Sequence, residues 1–211
     1  MKFTEENISA LRESVKRYMS EKRYIHTLGV EEAAMFIGGY CMRDKIPELR
    51  CAALLHDISK ELSESEQLKL VMLSDKVTED DLLTPPAYHA FTADKVISRD
   101  FPEYATDEIL SAVFHHTTLG KEATDFDKII FIADYVEASR TYDECIRVRE
   151  MLYGGLKASK NAEECILWLN KAVIRSLENT IASLSARGRA INPRTKDAKE
   201  YLMKQISKKI N

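Results

Sequence analysis

The chain has 211 residues, with 31 Lys plus Arg against 34 Asp plus Glu and a net charge of −3 at neutral pH. That length fits one domain with a sizeable core. So balanced a charge argues against a general nucleic-acid binder but leaves room for a local basic pocket that grips a small polyanion. The four cysteines stand apart without a CxxC pair, the N-terminus does not read as a signal peptide, and no run approaches the roughly 20 apolar residues that span a bilayer. A cytoplasmic protein with free, mostly buried thiols and neither a membrane nor a nucleic-acid partner is expected.

Apolar residues recur at three- and four-residue spacing almost throughout, and strict alternation is scarce, so the chain reads as all-α. Helices are expected at about 4–19, 21–42, 47–61, 64–73, 86–98, 105–117, 125–138, 143–152, 160–186 and 195–209. Thr84-Pro-Pro86 and Arg99-Asp-Phe-Pro102 punctuate the middle, because proline stops a preceding helix and suits a first turn. Gly188 is placed to cap the long ninth helix. The expected organisation is a helical bundle over 1–190 with a lysine-rich C-terminal helix, 191–211, packed on it.

The chemistry lies in the order His26, His56-Asp57, His89, His116, Asp134. His26 shares a helical face with Val30, Ala33 and Ile37, which turns it inward. Leu49, Ala52, Ala53 and His56 form one stripe, with Asp57 beside it and Lys60 one turn beyond His56. His89 lines up with Ala93 and Val96, and His116 with Ile109, Ala112 and Val113. His115 is rotated about 100° away on a helix of 3.6 residues per turn, so His116 is taken as the ligand. Asp134 ends the very apolar run Ile129-Ile-Phe-Ile-Ala133, where a carboxylate needs compensation from a cation or an arginine. Any one of these histidines alone reads as a hydrogen-bonded core residue. Four of them with two aspartates, all on inward faces, read as a metal centre.

That donor set is too rich in nitrogen for magnesium or calcium and suits iron, manganese, zinc or cobalt. Six ligands exceed what one open metal takes, so two metals are expected, with Asp57 as the shared carboxylate. Two metals holding a hydroxide between them can attack a phosphoryl group without a serine or cysteine nucleophile. Asp57, Lys60 and Arg140 are therefore the candidate catalytic residues, Lys60 and Arg140 as cations that support the phosphate. Glu137, one turn after Asp134, reads either as the orienter of a ligand or as the partner of Arg140.

The stretches Arg23-Tyr-Ile-His-Thr27, Leu54-Leu-His-Asp57 with Lys60, Tyr88-His-Ala90, His116-Thr-Thr118 and Lys128-Ile-Ile-Phe-Ile-Ala-Asp-Tyr-Val-Glu-Ala-Ser-Arg140 resemble the YqeK family of HD-domain proteins. The tail Ile191-Asn-Pro-Arg-Thr195 fits the same likeness, which covers roughly residues 5 to 205. The resemblance implies an HD-domain helical bundle and a symmetrical diadenosine tetraphosphate hydrolase whose di-iron centre yields two ADP. It also implies His26, His56, Asp57 and Asp134 around one metal, Asp57, His89 and His116 around the other, and Lys60, Thr117 and Arg140 on the phosphates. A small dinucleoside polyphosphate is the expected partner, and the likeness is compatible with a homodimer. The family usually has Trp-His-Gly at Tyr88-His-Ala90, glycine at Leu119 and an aromatic residue at His115. Two rival readings are an HD phosphohydrolase for another nucleotide and a non-catalytic regulatory protein stabilised by metal.

Overall fold

Short polar side chains start most of the helices in the computed structural model, which describes residues 3–210. Thr4, Ser20, Ser63, Thr106, Thr124 and Asn161 each accept a hydrogen bond from a first-turn N–H, opening α1 (Glu5–Val15), α2 (Glu21–Cys41), α4 (Glu64–Val71), α6 (Asp107–His115), α7 (Asp125–Val136) and α9 (Ala162–Ala186). Such a cap contributes about 1 kcal/mol. The remaining helices are α3 (Ile46–Leu55), α5 (Tyr88–Asp100), α8 (Asp143–Ala158) and α10 (Pro193–Ile210). The described residues contain no strand, as the all-α reading requires.

The predicted inward stripes form the core. Val30, Ala33 and Ile37 of α2, Leu49, Ala52 and Ala53 of α3, and Ile109, Ala112 and Val113 of α6 are all buried. Helix α2 packs on α3 and α7, α6 bridges α3, α5 and α7, and α9 runs behind α7 with α8 and α10 against it. Five helices, α2, α3, α5, α6 and α7, thus converge from distant parts of the sequence.

Several boundaries differ from the sequence reading. The third helix stops at Leu55 rather than near 61, so Lys60 lies in the following turns and not one helical turn past His56. The sixth stops at His115, leaving His116 as its C-cap. The eighth continues to Ala158, and a 3₁₀ turn over Pro85–Ala87 precedes α5. Helix α9 ends as Gly188 requires: its φ is 61°, and the N–H groups of Gly188 and Arg189 return to the carbonyls of Ser185 and Leu184. The turn into α10 is tied to the rest of the molecule by Thr195 Oγ1 donating to the Thr118 carbonyl, Asn192 Nδ2 donating to Asp81 and Thr84, and Arg194 paired with Asp81. The four cysteines are free, and among the described residues no helix is long and apolar enough to cross a membrane.

The contact between α8 and α9 leaves no room at Gly155, where an added Cβ would stand 2.1 Å from the Trp168 ring. Overpacking of this kind costs about 1–3 kcal/mol, against a helix-propensity gain of about 1 kcal/mol for alanine. Gly155→Ala is expected to lower the melting temperature by about 2–6 °C, read in a thermal melt. An equal or higher value would mean that Trp168 shifts at no cost.

Candidate metal centre

Helix ends position the two central histidines. At the end of α3, His56 Nδ1 donates to the carbonyl of Ala53 at 2.6 Å, and at the end of α6, His116 Nδ1 donates to that of Val113 at 2.6 Å. The last carbonyls of a helix lack an intrahelical partner, so each imidazole satisfies one of them. Holding the proton on Nδ1 leaves Nε2 as an unprotonated donor atom facing inward, the arrangement found in histidines that ligate metals.

The inward nitrogens surround Asp57. Its Oδ1 is 3.3 Å from His89 Nε2 and 3.5 Å from His116 Nε2, whereas Oδ2 is 3.5 Å from His56 Nε2 and 3.9 Å from His26 Nε2. The carboxylate therefore turns one oxygen to each half of the histidine set. His26 Nε2 also stands 3.0 Å from Asp134 Oδ1, and its Nδ1 is 3.1 Å from Glu137 Oε1. Two groups of ligating atoms lie within 4.8 Å of one another: His26 with His56 and Asp134, and His56 with Asp57 and His116. The first holds three of the four residues expected around one metal. The second links Asp57 and His116 through His56, while His89 joins by its 3.0 Å approach to His116.

All six ligand candidates are thus brought together. Lys60 Nζ, carried by the turn after α3, lies 3.0 Å from His89 Nδ1, and Thr117 Oγ1 lies 3.1 Å from His89 Nε2. Arg140 is at the opposite end, where its Nη2 donates to Asp134 Oδ1 at 2.8 Å. The arginine partner considered for Asp134 exists, and it shares the oxygen that faces His26. Ser59 Oγ donates to the His89 carbonyl and accepts from Thr92, tying the turn after α3 to α5.

Two neighbours were given no firm role by the sequence. Arg23 Nη1 donates to Asp57 Oδ2 at 2.7 Å; the signal was its place one turn before His26 on α2. Glu137, only 1% exposed, holds His26 and also accepts from the N–H and hydroxyl of Ser139. Gly29 makes space for it, since a Cβ there would come within 2.6 Å of Glu137 Oε2. His115 is buried yet turned away from the cluster, beside Ser111, Asp127 and Glu122. At Leu119, where the family usually has glycine, the backbone keeps a left-handed φ of 58° although the residue is leucine, and its side chain is fully buried.

The electrostatics follow this geometry. Burial opposes charge on Asp57, but the imidazoles of His56, His116 and His89 outweigh it and hold the carboxyl well below its usual range. Burial also opposes charge on His26, yet Asp134 and Glu137 raise it to about 9. Burial keeps His89 neutral and lowers the Lys60 ammonium.

A transition-metal pair fits these residues. The Nε2 atom of His56 is buried without a hydrogen-bond partner among the described residues, although an unsatisfied buried group of this kind costs about 1–3 kcal/mol, and that of His26 faces the Asp134 carboxylate. The two nitrogens stand among carboxylates in a donor set typical of first-row transition metals.

Known proteins share this sequence and fold. The sequence matches the HD domain over residues 23–139. It is 28% identical to the symmetrical bis(5'-nucleosyl)-tetraphosphatase of Bacillus subtilis, with 86% of this chain and 89% of the relative covered. The protein of the same description from Halalkalibacterium halodurans is 29% identical over the same shares of the two chains. The one from Staphylococcus aureus is 28% identical, covering 85% of this chain and 93% of its own. These relatives bear out the likeness to the YqeK family. The fold is shared with a crystal structure from Clostridium acetobutylicum, described as a predicted HD superfamily hydrolase involved in NAD metabolism, at a TM-score of 0.79 and 24% identity, covering 93% of this chain and 97% of that one. Since the matched region begins three residues before His26 and runs past Asp134, enclosing all six ligand candidates, the chain belongs to the HD-domain family.

Proposed function

We propose that this protein is a metal-dependent hydrolase that cuts diadenosine tetraphosphate symmetrically into two ADP. The observation that carries the reading is the placing of four imidazoles around a single buried carboxylate, Asp57, with Asp134 against one of them, His26. The tetraphosphatase relatives supply the substrate class. His26, His56, Asp57 and Asp134 would hold one metal and Asp57, His89 and His116 the other. Iron is favoured by the family likeness, and manganese, cobalt or zinc suit the same donors. When bound, such a pair supplies Lewis acidity that activates water near neutral pH and neutralises phosphoryl charge.

The protein's own residues account for where the cut falls. Lys60 and Thr117 stand at the His89 end of the cluster and Arg140 at the Asp134 end. A polyphosphate laid across the cluster meets a cation on each side of the reacting phosphorus, so an inner phosphate is centred and ADP becomes the leaving group. Arg140 reaches that chain by exchanging its bond to Asp134 for one to phosphate. Arg23 orients Asp57 through its hydrogen bond to Oδ2.

The test is product identification by chromatography on anaerobically purified protein, together with elemental analysis. ADP as sole product supports the reading, whereas ATP plus AMP, or faster turnover of a mononucleotide in the same panel, overturns it. Chelation is expected to lower the rate more than about a hundred-fold, to spare the helical circular dichroism, and to be reversed by adding back iron(II) or manganese(II). Loss of helicity on chelation would identify a structural site instead.

A further inference from the structure

We propose that Arg149 of α8 is a positioning residue: it sets the turn after α7 and, through that turn, both the Glu137 carboxylate behind His26 and the Arg140 guanidinium beside Asp134. Arg149 is half-buried, and its guanidinium donates to three main-chain carbonyls, Nε to that of Val136 and Nη2 to those of Glu137 and Arg140. Among the described residues it forms no ion pair.

Three observations carry the assignment. First, Val136 is the last residue of α7, so its carbonyl has no intrahelical N–H to accept from. Arg149 supplies that missing donor, and its charge lies at the helix end that favours a cation. Second, the three bonds reach across the turn. The turn is closed by the Arg140 N–H donating to the Glu137 carbonyl at 3.0 Å, and Arg149 holds both its entry, at Val136 and Glu137, and its exit, at Arg140, where the bond is 2.8 Å. Ala138 and Ser139 at the tip are exposed, so packing does not hold the turn from outside. Third, four consecutive residues of this turn carry three groups that meet the cluster or support it. Glu137 Oε1 receives His26 Nδ1, Ser139 holds the same carboxylate through its N–H and hydroxyl, and Arg140 Nη2 donates to Asp134. A shift of the turn therefore moves the support of a metal-ligand candidate and the phosphate cation together.

The planar fork is what the site uses. A guanidinium spans separated carbonyls with fixed donors, whereas a lysine ammonium is a point charge on a flexible stem. Arg149→Lys thus keeps the cation at the end of α7 and loses the span, while Arg149→Gln keeps a planar donor and loses the charge. The role rests on the proposed reaction for its link to the phosphates, whereas the turn and the metal affinity are read without turnover.

Both variants are compared with the wild-type chain, the folded fraction being fixed by circular dichroism. In metal-free protein, hydrogen–deuterium exchange at the Arg140 amide should accelerate about ten-fold in Arg149→Lys, with α3 and α9 unchanged. Manganese(II) affinity, from competition with a chromogenic chelator, should fall about three- to ten-fold in both variants. In a Glu137→Ala background the same substitutions should cost less than about two-fold, since the group they act through is gone. KM for diadenosine tetraphosphate should rise about three- to ten-fold, an effect that Arg140→Ala removes. Equal losses in the parent and Glu137→Ala backgrounds overturn the positioning role and make Arg149 a general support of the fold, as does failure of both variants to fold. Cleavage to ADP with exchange, affinity and KM all unmoved overturns the role and leaves the enzymatic reading standing. Affinity losses that Glu137→Ala abolishes, in a protein that does not cleave the tetraphosphate, overturn the reading and leave the role of Arg149 standing.

Discussion

Asp57→Ala is expected to lower kcat for diadenosine tetraphosphate by about 10³-fold or more while leaving the helical circular dichroism near the wild-type value. Asp57 is buried and is the one carboxylate that approaches all four imidazoles, with Oδ1 toward His89 and His116 and Oδ2 toward His56 and His26. No neighbouring acid can replace it, because Asp134 is committed to His26 and Arg140. Its removal also leaves the Arg23 guanidinium beside the cluster without the carboxylate it pairs with, which disfavours any cation in the same space. The metal content of the purified variant, measured by elemental analysis, should fall by at least one ion per chain. Activity within ten-fold of wild type, at unchanged metal content, would end the proposal that this carboxylate is shared between two ions.

Glu137→Ala should weaken metal binding by about 10- to 100-fold, the usual effect of losing the group that orients a ligating histidine. Glu137 accepts from His26 Nδ1 and so directs Nε2 toward Asp134 and Asp57. The carboxylate is itself held by the N–H and hydroxyl of Ser139, so its position is fixed before any ion arrives. Glu137→Gln keeps an acceptor at nearly the same place and should recover much of the lost affinity. Gly29→Ala, which crowds Glu137 Oε2 from one turn further along α2, should show a smaller loss of the same kind. Competition titration with a chromogenic chelator reads all three. Equal affinities for Glu137→Ala and wild type would show that His26 needs no such support.

The periodicity of apolar residues revealed the ten helices because burial repeats every three or four positions wherever a helix faces the core. The same signal turned His26, His89 and His116 inward, and the structure gathers all of them. Periodicity gave less information at the helix ends. The run from Leu49 to Lys60 keeps its helical spacing to the end, yet the backbone leaves the helix at Leu55, where His56 bonds back to the Ala53 carbonyl. A side chain that satisfies the terminal carbonyl removes the need for another turn, and sequence spacing carries no trace of that exchange. Lys60 reaches His89 by a different route from the one the helical reading implied, through the turns that Ser59 pins to α5. Arg23 was legible only as a cation near His26, because its partner is 34 positions away. Glu137 and Gly29 show the same limit, since a carboxylate and the space made for it lie on helices that meet only after folding. Leu119 retains the left-handed backbone that a glycine would adopt freely, so the turn after His116 is imposed by tertiary packing rather than by local preference.

The bond between His26 and Glu137 joins residues 111 positions apart, and the remaining ligand candidates fall between them. During synthesis the emerging polypeptide therefore carries histidines for a long interval with no finished cage to receive a cation. Tight metal capture becomes available only after the segment following Asp134 has left the ribosome and docked on α2. In the proposed metal centre, ion occupancy would report that α2, α3, α5, α6 and α7 have come together, and a nascent chain stalled before that point would stay empty even when metal is abundant.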